Sequence, residues 1–422
     1  MPARIKFEKL PGQKLFFEDT TTKTLLFSAG LGSGKTHALC MKALNLSYLN
    51  RGFPGGLLCP SFPDYKKDVF VEMVSILADN GIRYKYNQQD KTFQFPWTKA
   101  PLYVFTAEKP IAGPNLAYCL VNEYSLMKYD RIREMIRRVR IKKAPNKQRA
   151  LAGTPEDVYG WLEDFVEAQE KRGDFRIVYA DTNENIHIDD DYRKDLEAML
   201  DEQSLRVFAS GEIVRIGGNY FYYSYSPERV ISDSVKYNSD LIIHVGMDFN
   251  VGYMTASLSH KIDLGSETKN EQHFFDEILL KGESNTYTMA RALKNSEYPW
   301  DKMLISCDAS GNNRSSSARE KVMSDVKILR AEGFEVRFKS QNPRLRQRQL
   351  LVNGMMYHGR IKANPKCTEL LKDWKKTTQL PDYTKDSKTD KTRGHFSDGA
   401  DYVLDFEHKL DIIRRKSRII QL

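Results

Sequence analysis

The 422-residue sequence predicts an α/β protein of two domains on three observations. Its length exceeds what one ordinary core organises, its first half alternates strands with helices, and its second half brings three strands in succession. The alternation starts with LLFSAG as an apolar strand, THALCMKALNLSYLN as a helix, GGLLCP as a second strand and DVFVEMVSILADNG as an amphipathic helix ending at Gly81. Strands follow at PLYVFTA, AYCLVNE and QRALAGT, an order that implies a mainly parallel sheet with helices on both faces. Residues 161–235 read as a linker subdomain, with a long helix DYRKDLEAMLDEQSLRVFAS and a Gly-Gly hairpin turn in GEIVRIGGNYFYYSY. A boundary in SDSVKYNSD gives domains 1–235 and 236–422. Beyond it, LIIHVGMDFN, YMTASLSHK and EQHFFDEILL leave no room for intervening helices and should pair antiparallel. A helix (TYTMARALKNS), a strand (KMLISCDAS) and helices near residues 316–332, 345–358 and 369–376 lead to a closing helix in HFSDGADYVLDFEHKL.

Composition narrows the class. Hydrophobic residues make up 41% and charged residues 29%, as in a folded soluble protein. No apolar run is long enough to span a bilayer, and MPARIKFEKLPGQ lacks the apolar core of a signal peptide, so a cytoplasmic chain without a membrane partner is expected. Five scattered cysteines, never in CxxC spacing, read as reduced core residues rather than a disulfide or zinc framework. The net charge of +9 is compatible with a polyanionic partner and equally with mere solubility.

AGLGSGKT at residues 29–36 lies between an apolar strand and a helix, where backbone amides and the helix N-terminus can cradle phosphates. It meets GxxxxGK[ST] except that Ala29 replaces the first glycine; Gly30, Gly32 and Gly34 supply backbone freedom, and Ser33 lies within the loop. Lys35 would reach the β- and γ-phosphates of a nucleotide such as ATP, and Thr36 would ligate its Mg²⁺. AYCLVNE ends in Asn122 and Glu123, where a carboxylate pair is expected: Glu123 suits the catalytic base, while neutral Asn122 would hold the magnesium water more weakly. Thr154, in LAGTP, could sense the γ-phosphate. The basic run after Asp130 offers Arg131, Arg133, Arg137 and Arg138 as candidate arginine fingers for a neighbouring subunit, or simply as a solvated face.

The second half carries acids where apolar strands end. Asp248 in HVGMDFN, Asp308 in LISCDASG and Asp398 in HFSDGADY could together hold two Mg²⁺ or Mn²⁺ ions about 4 Å apart. Glu277, His395 and Asp401 are further candidate ligands. A β-β-β-α-β order with an acid on its first strand fits a ribonuclease H-like nuclease domain with a mixed sheet. Each acid singly is also explained structurally, Asp248 as a turn former and Asp308 and Asp398 as helix N-caps.

A P-loop ATPase followed by a ribonuclease H-like nuclease resembles the large terminase subunit of tailed bacteriophages over almost the whole chain. Gln13 in KLPGQKLFFED resembles that family's adenine-contacting glutamine, GTPE its coupling motif with Thr154 in the coupling role, CDASG its Asp-Pro-Ala-Gly signature and HFSDGADY its His-x-x-Asp pattern, which favours Asp398 over Asp401. TNENIHIDDDY through ASGEIVRIGGNYFY is similar to the family's segment between the two domains. The sequence departs from the family at Leu31, where many members place an arginine, and at Asn122. The resemblance implies a homo-oligomeric ring on the portal protein of a procapsid in the bacterial host cytoplasm, moving double-stranded viral DNA with ATP, cutting concatemers and working with a small terminase subunit. It further implies that the basic, apolar IIRRKSRIIQL docks on the portal, or else is a frayed tail. A helicase-like or repair ATPase fused to a nuclease, or a non-hydrolysing DNA-binding assembly protein, are the alternatives.

Overall fold

The computed structural model describes residues 10–157, 159–214, 216–249, 253–282, 284–308, 324–339, 345–386 and 394–408. Two compact units divide them: the first runs through Leu196 and resumes over Glu202–Arg215, and the second holds Glu197–Asp201 and continues from Ile216. The division falls about twenty residues before the expected boundary at 235. Most of the segment read as a linker is therefore part of the first unit.

The first unit is built on an eight-stranded sheet of β1 (Thr24–Ala29), β2 (Gly55–Cys59), β3 (Lys85–Asn87), β4 (Thr92–Gln94), β5 (Leu102–Thr106), β6 (Tyr118–Asn122), β7 (Arg149–Gly153) and β8 (Phe175–Ala180), in the order β3-β4-β5-β2-β6-β7-β1-β8. Six strands pair in parallel, and β4 pairs antiparallel with both β3 and β5. Every residue of β1, β2 and β6 is buried, which is why these strands read as continuous apolar runs. By contrast β8 alternates buried and exposed positions at the sheet edge, and its pattern was lost in the mixed composition around it. The order places the C-terminal ends of β6, β7 and β1 side by side, the position where open parallel sheets bind ligands.

The helix Lys35–Leu49 follows β1 directly. Its Lys42 is fully buried and donates to the Phe16, Phe17 and Asp19 carbonyls, satisfying the exposed end of the helix Pro11–Glu18 and fastening it to the P-loop helix. Two expectations change. The helix ending at Gly81 opens with a π-turn, Tyr65–Val69, before Phe70–Asp79. The long helix after residue 190 breaks into Asp190–Met199 and Glu202–Phe208.

The second unit carries a six-stranded mixed sheet of β9 (Ile243–Asp248), β10 (Tyr253–Ile262), β11 (Glu271–Lys281), β12 (Met303–Ser306), β13 (Glu335–Arg337) and β14 (Ile361–Ala363), in the order β13-β12-β9-β10-β11-β14. As expected, β9, β10 and β11 are antiparallel neighbours, while β12 joins β9 in parallel. Gly217 and Gly218 do turn the chain, both at positive φ, but among the described residues the arms of that turn form no strand pairing with each other. Instead Tyr220 bridges Thr378, and the Phe221 amide donates to the Thr377 carbonyl, so the expected hairpin is replaced by a long-range pairing.

The closing helix His395–Glu407 lies directly on β9. A Cβ placed on Gly246 would lie 2.2 Å from the Gly399 carbonyl oxygen, and one on Gly399 would lie 2.7 Å from the Gly246 carbonyl oxygen. Strand and helix therefore touch backbone to backbone, which only glycine at both positions allows. At the helix's far end Glu407 meets His244 at 3.1 Å, Lys261 at 3.8 Å and Arg337. Burial would raise the Glu407 carboxyl, but the hydrogen bonds and charges of His244 and Arg337 outweigh it and hold it down at about 2.

Two outcomes follow from this packing. Gly399→Ala should lower the unfolding free energy by about 1–3 kcal/mol in denaturant melts, through overpacking against β9. Because the folded pKa of Glu407 lies below its unfolded value, its stabilisation is present above pH 4.5 and lost as pH falls toward 2. Glu407→Gln should therefore flatten the acid limb of stability against pH, and cost on the order of 3 kcal/mol at neutral pH.

Candidate functional site

In the first unit the P-loop leaves β1 at Gly30, whose missing side chain lets the Ala209 carbonyl oxygen approach; a Cβ there would sit 2.0 Å from it. Gly32 and Gly34 both take left-handed φ of 75°, the conformation the loop needs before the helix begins at Lys35. The loop's carbonyls are taken up by donors from the protein. Ser33 Oγ donates to Gly30 at 2.7 Å, Thr182 Oγ1 to Leu31 at 2.7 Å and Asn185 Nδ2 to Gly32 at 2.6 Å. Gln13 Nε2 donates to Ser33 and Gly34 at 3.4 and 3.2 Å, and its Oε1 accepts from the Leu10 amide. With the carbonyls engaged, the first amides of the helix are the groups an anion can use. Gln13 thus braces the loop through Nε2 and holds the start of its own helix through Oε1.

Lys35 is buried, with Nζ 3.8 Å from Glu123 Oε1 and 3.5 Å from the Gly30 carbonyl. Glu123 follows β6 in a left-handed conformation, φ 52°, which a non-glycine residue adopts only when its surroundings impose it. The imposing contacts come from β7: the Glu123 amide donates to the Ala152 carbonyl at 2.7 Å, and the Thr154 amide faces Glu123 Oε2 at 3.5 Å. Thr154 is fully buried, yet its hydroxyl has no hydrogen-bond partner among the described residues. A buried hydroxyl without a hydrogen bond is uncommon, and this one stands beside Glu123. Asn122 is buried at the end of β6 and Thr36 is half-buried at the start of the helix. Leu31 is buried with its amide on the Phe208 carbonyl, so this position serves packing.

Of the four candidate finger arginines, three are engaged within the unit. Arg131 pairs with Glu134 at 2.9 Å, Arg133 with Asp130 at 2.7 Å, and Arg138 donates to the Ile111 and Gly113 carbonyls. Arg137 is exposed and has no partner among the described residues.

In the second unit the close packing of β9 and the closing helix brings Asp248 to His395, whose Nδ1 lies 2.8 Å from Asp248 Oδ2. Burial pushes the Asp248 carboxyl up, His395 pulls it down, and the charges of Asp398 and Asp308 push it up again. Tyr402 is raised by burial and then by the charges of Asp398, Asp248 and Asp308. All three predicted acids thus share one electrostatic neighbourhood. Among the described residues no three His, Cys, Asp or Glu side chains are close enough together to hold an ion unaided. The charges of Asp398 and Asp308 nevertheless bear on Asp248, and repulsion of this kind is what a bound cation relieves.

The other candidate ligands have different tasks. Glu277 accepts from the Glu369 amide at 2.8 Å, the Leu370 amide at 2.9 Å and Thr368 Oγ1 at 3.3 Å, so both its oxygens cap the helix Thr368–Lys376. Asp401 is fully buried, and its Oδ2 accepts from Tyr222 at 2.9 Å and Lys385 at 3.0 Å. Asp398 is more exposed and sits one turn inside the closing helix rather than capping it. The cap is Asp373, whose Oδ2 accepts from the Gly394, Phe396 and Ser397 amides at 3.1, 3.1 and 3.3 Å. Asp308 is half-buried just beyond β12, and the helix start it was expected to cap lies outside the described residues. Asp373, Lys385 and Arg348 were not anticipated, since nothing local in sequence marks a partner so distant.

No family model and no curated protein matches the chain. Among solved structures, it is similar to the large terminase from a thermophilic bacteriophage, with a TM-score of 0.69 at 12% identity over 94% of this chain and 98% of that one. The same terminase in complex with ATP-γ-S gives 0.67 at 13% over 94% and 98%, and in complex with ADP 0.65 at 13% over 95% and 99%. At such identity the likeness is one of fold. It extends across both units and agrees with the expected fold class. No helix among the described residues is long and apolar enough to cross a membrane.

Because the Thr154 hydroxyl makes no hydrogen bond among the described residues, Thr154→Val should leave thermal stability within about 0.5 kcal/mol of the parent. ATP turnover, followed by phosphate release, should fall by roughly tenfold or more if the hydroxyl meets the nucleotide.

Proposed function

We propose that this chain is a DNA-packaging motor of the large-terminase kind, which hydrolyses ATP to drive double-stranded viral DNA into a procapsid and cuts concatemeric DNA with a metal-dependent endonuclease. The observation that carries the reading is the presence in one chain of two separately built acidic sites: Lys35 beside Glu123 at a P-loop, and Asp248 with His395 near Asp398 in a second unit. The fold shared with the thermophilic phage's large terminase, which itself was solved with ATP-γ-S and ADP, supports joining them in one motor.

In the ATPase, the P-loop amides and Lys35 hold the phosphates, Thr36 and Asn122 hold the magnesium ion with its water, and Glu123 orients the attacking water and accepts its proton. Thr154 reports the γ-phosphate from the end of β7. With Leu31 packed inward, the transition-state arginine comes from a neighbouring subunit of a homo-oligomeric ring, and Arg137 is the residue free to supply it. In the nuclease, Asp248, Asp308 and Asp398 would hold Mg²⁺ or Mn²⁺, which would supply Lewis acidity and activate a water, while His395 orients the Asp248 carboxylate. The partners are viral DNA, the portal protein and the small terminase subunit, met in the host cytoplasm at the portal vertex.

Lys35→Ala should abolish ATP hydrolysis and packaging while plasmid cleavage with Mn²⁺ survives. Asp308→Asn should do the reverse. Loss of both activities in either variant, when it still melts cooperatively at the parental temperature, would contradict two independent sites.

A further inference from the structure

The helix Pro11–Glu18 packs against the P-loop helix and is fastened to it at both ends. At its first turn Gln13 donates to the Ser33 and Gly34 carbonyls, and a Cβ on Gly34 would lie 2.3 Å from Gln13 Nε2, so this side chain sits directly on the last loop glycine. At its last turn the fastening is Lys42, about two turns beyond Lys35 on the P-loop helix. The buried ammonium lies 3.0 Å from the Phe16 carbonyl oxygen and 3.3 Å from that of Phe17, with the Asp19 carbonyl as its third acceptor. An ammonium has three N–H donors, and three carbonyls at the negative end of a helix take them. Between the two fastenings Phe16 stacks on Phe27 at 4.7 Å, which seats the helix on β1, the strand that leads into the P-loop. Burial pulls the Lys42 ammonium down to about 7, against the charge of Asp19, which raises it. Burial would raise the Asp19 carboxyl in turn, but the hydrogen bonds of Thr22 and Thr21 and then Arg176 on β8 outweigh it and hold that group below its ordinary value. Gln148, ahead of β7, shares the Asp19 carbonyl and carries no charge. Deprotonation of Lys42 therefore leaves two N–H donors for three carbonyls.

We propose that Lys42 is a positioning residue for the nucleotide: by holding the last turn of the helix Pro11–Glu18 against the P-loop helix, it keeps Gln13 on the Ser33 and Gly34 carbonyls and so keeps the loop's amides turned toward the phosphates. This rests on the ATPase reading above. The ammonium touches no substrate and acts through Gln13. A charge in the core is costly, and an uncharged side chain of the same length would fill the space without that cost. The three carbonyls that Lys42 holds are what the charge is there to serve. Loosening them frees the helix that carries Gln13, and with it two carbonyls of the loop.

The test is binding of ATP-γ-S with Mg²⁺ to the full-length protein by isothermal titration calorimetry, with thermal unfolding followed on the same samples. Lys42→Met and Gln13→Ala should each weaken binding by roughly tenfold, and the double variant should bind no more weakly than either single one. Losses that add in the double variant would overturn the inference, because Lys42 would then act by its charge or through the core and not through Gln13. The pH dependence gives an independent reading. The unfolded state holds the Lys42 proton more tightly between about 7 and 10.5, so this group's contribution to stability rises with pH in that window. Nucleotide affinity should move the other way: from about pH 6 to about pH 9 the parent should lose affinity relative to Gln13→Ala, where the coupling is absent. A parent that keeps its advantage over Gln13→Ala throughout, or gains on it as stability rises, would contradict the inference, and this arm decides even if Lys42→Met does not fold. No binding of ATP-γ-S by the folded parent would sink the ATPase reading itself.

Discussion

Both sites depend on the same constraint, a strand whose functional end is touched by another element's backbone and therefore cannot carry a side chain there. In the first unit it is Gly30, where a Cβ would lie 2.0 Å from the Ala209 carbonyl oxygen. In the second it is the mutual contact of Gly246 and Gly399 between β9 and the closing helix. Contacts under 3 Å from a Cβ cannot be relieved by rotating a side chain when the other atom belongs to the backbone, so these positions set the distance between elements rather than filling it. Asp248, two residues beyond Gly246, meets His395 and feels the charge of Asp398, which precedes Gly399 on the closing helix.

In the same unit two carboxylates, half-buried Glu277 and buried Asp373, act as caps. Glu277 on β11 caps the helix Thr368–Lys376, and Asp373 on that helix caps the closing helix. Each carboxylate meets amides at the positive end of a helix, which compensates its burial without a metal. The arrangement links β11 to the helix that carries Asp398. It also separates acids that cap helices from Asp248 and Asp398, which cap none among the described residues, a distinction invisible in residue type.

That distinction explains what was legible in the sequence. The P-loop could be read because its requirements are local: glycines, Lys35 and Thr36 between a strand and a helix. The order of strands and the acids at their ends were legible for the same reason, and Asp398 stands apart from Asp401, which the structure buries against Tyr222 and Lys385. Glu277 was misread because a capping and a ligating carboxylate look alike on an apolar strand. Gln13 was found at the P-loop but in a bracing role. Lys385 and Arg348 went unseen since their partner Asp398 is 13 and 50 residues away and no motif joins them. The strand β8 was lost because an edge strand exposes half its residues, and the expected hairpin at Gly217 failed because its arm found Thr377 and Thr378 instead.

The central claim is that the backbone contact of β9 with the closing helix assembles a metal-dependent cutting site from Asp248, Asp308 and Asp398. The most direct measurement is anomalous scattering from crystals of the protein soaked in Mn²⁺. The account predicts a manganese peak with the Asp248 and Asp398 carboxylates both in coordination reach, at about 2.0–2.3 Å. A fully soaked crystal with no peak between those two carboxylates, or with manganese bound elsewhere in the unit, would contradict it.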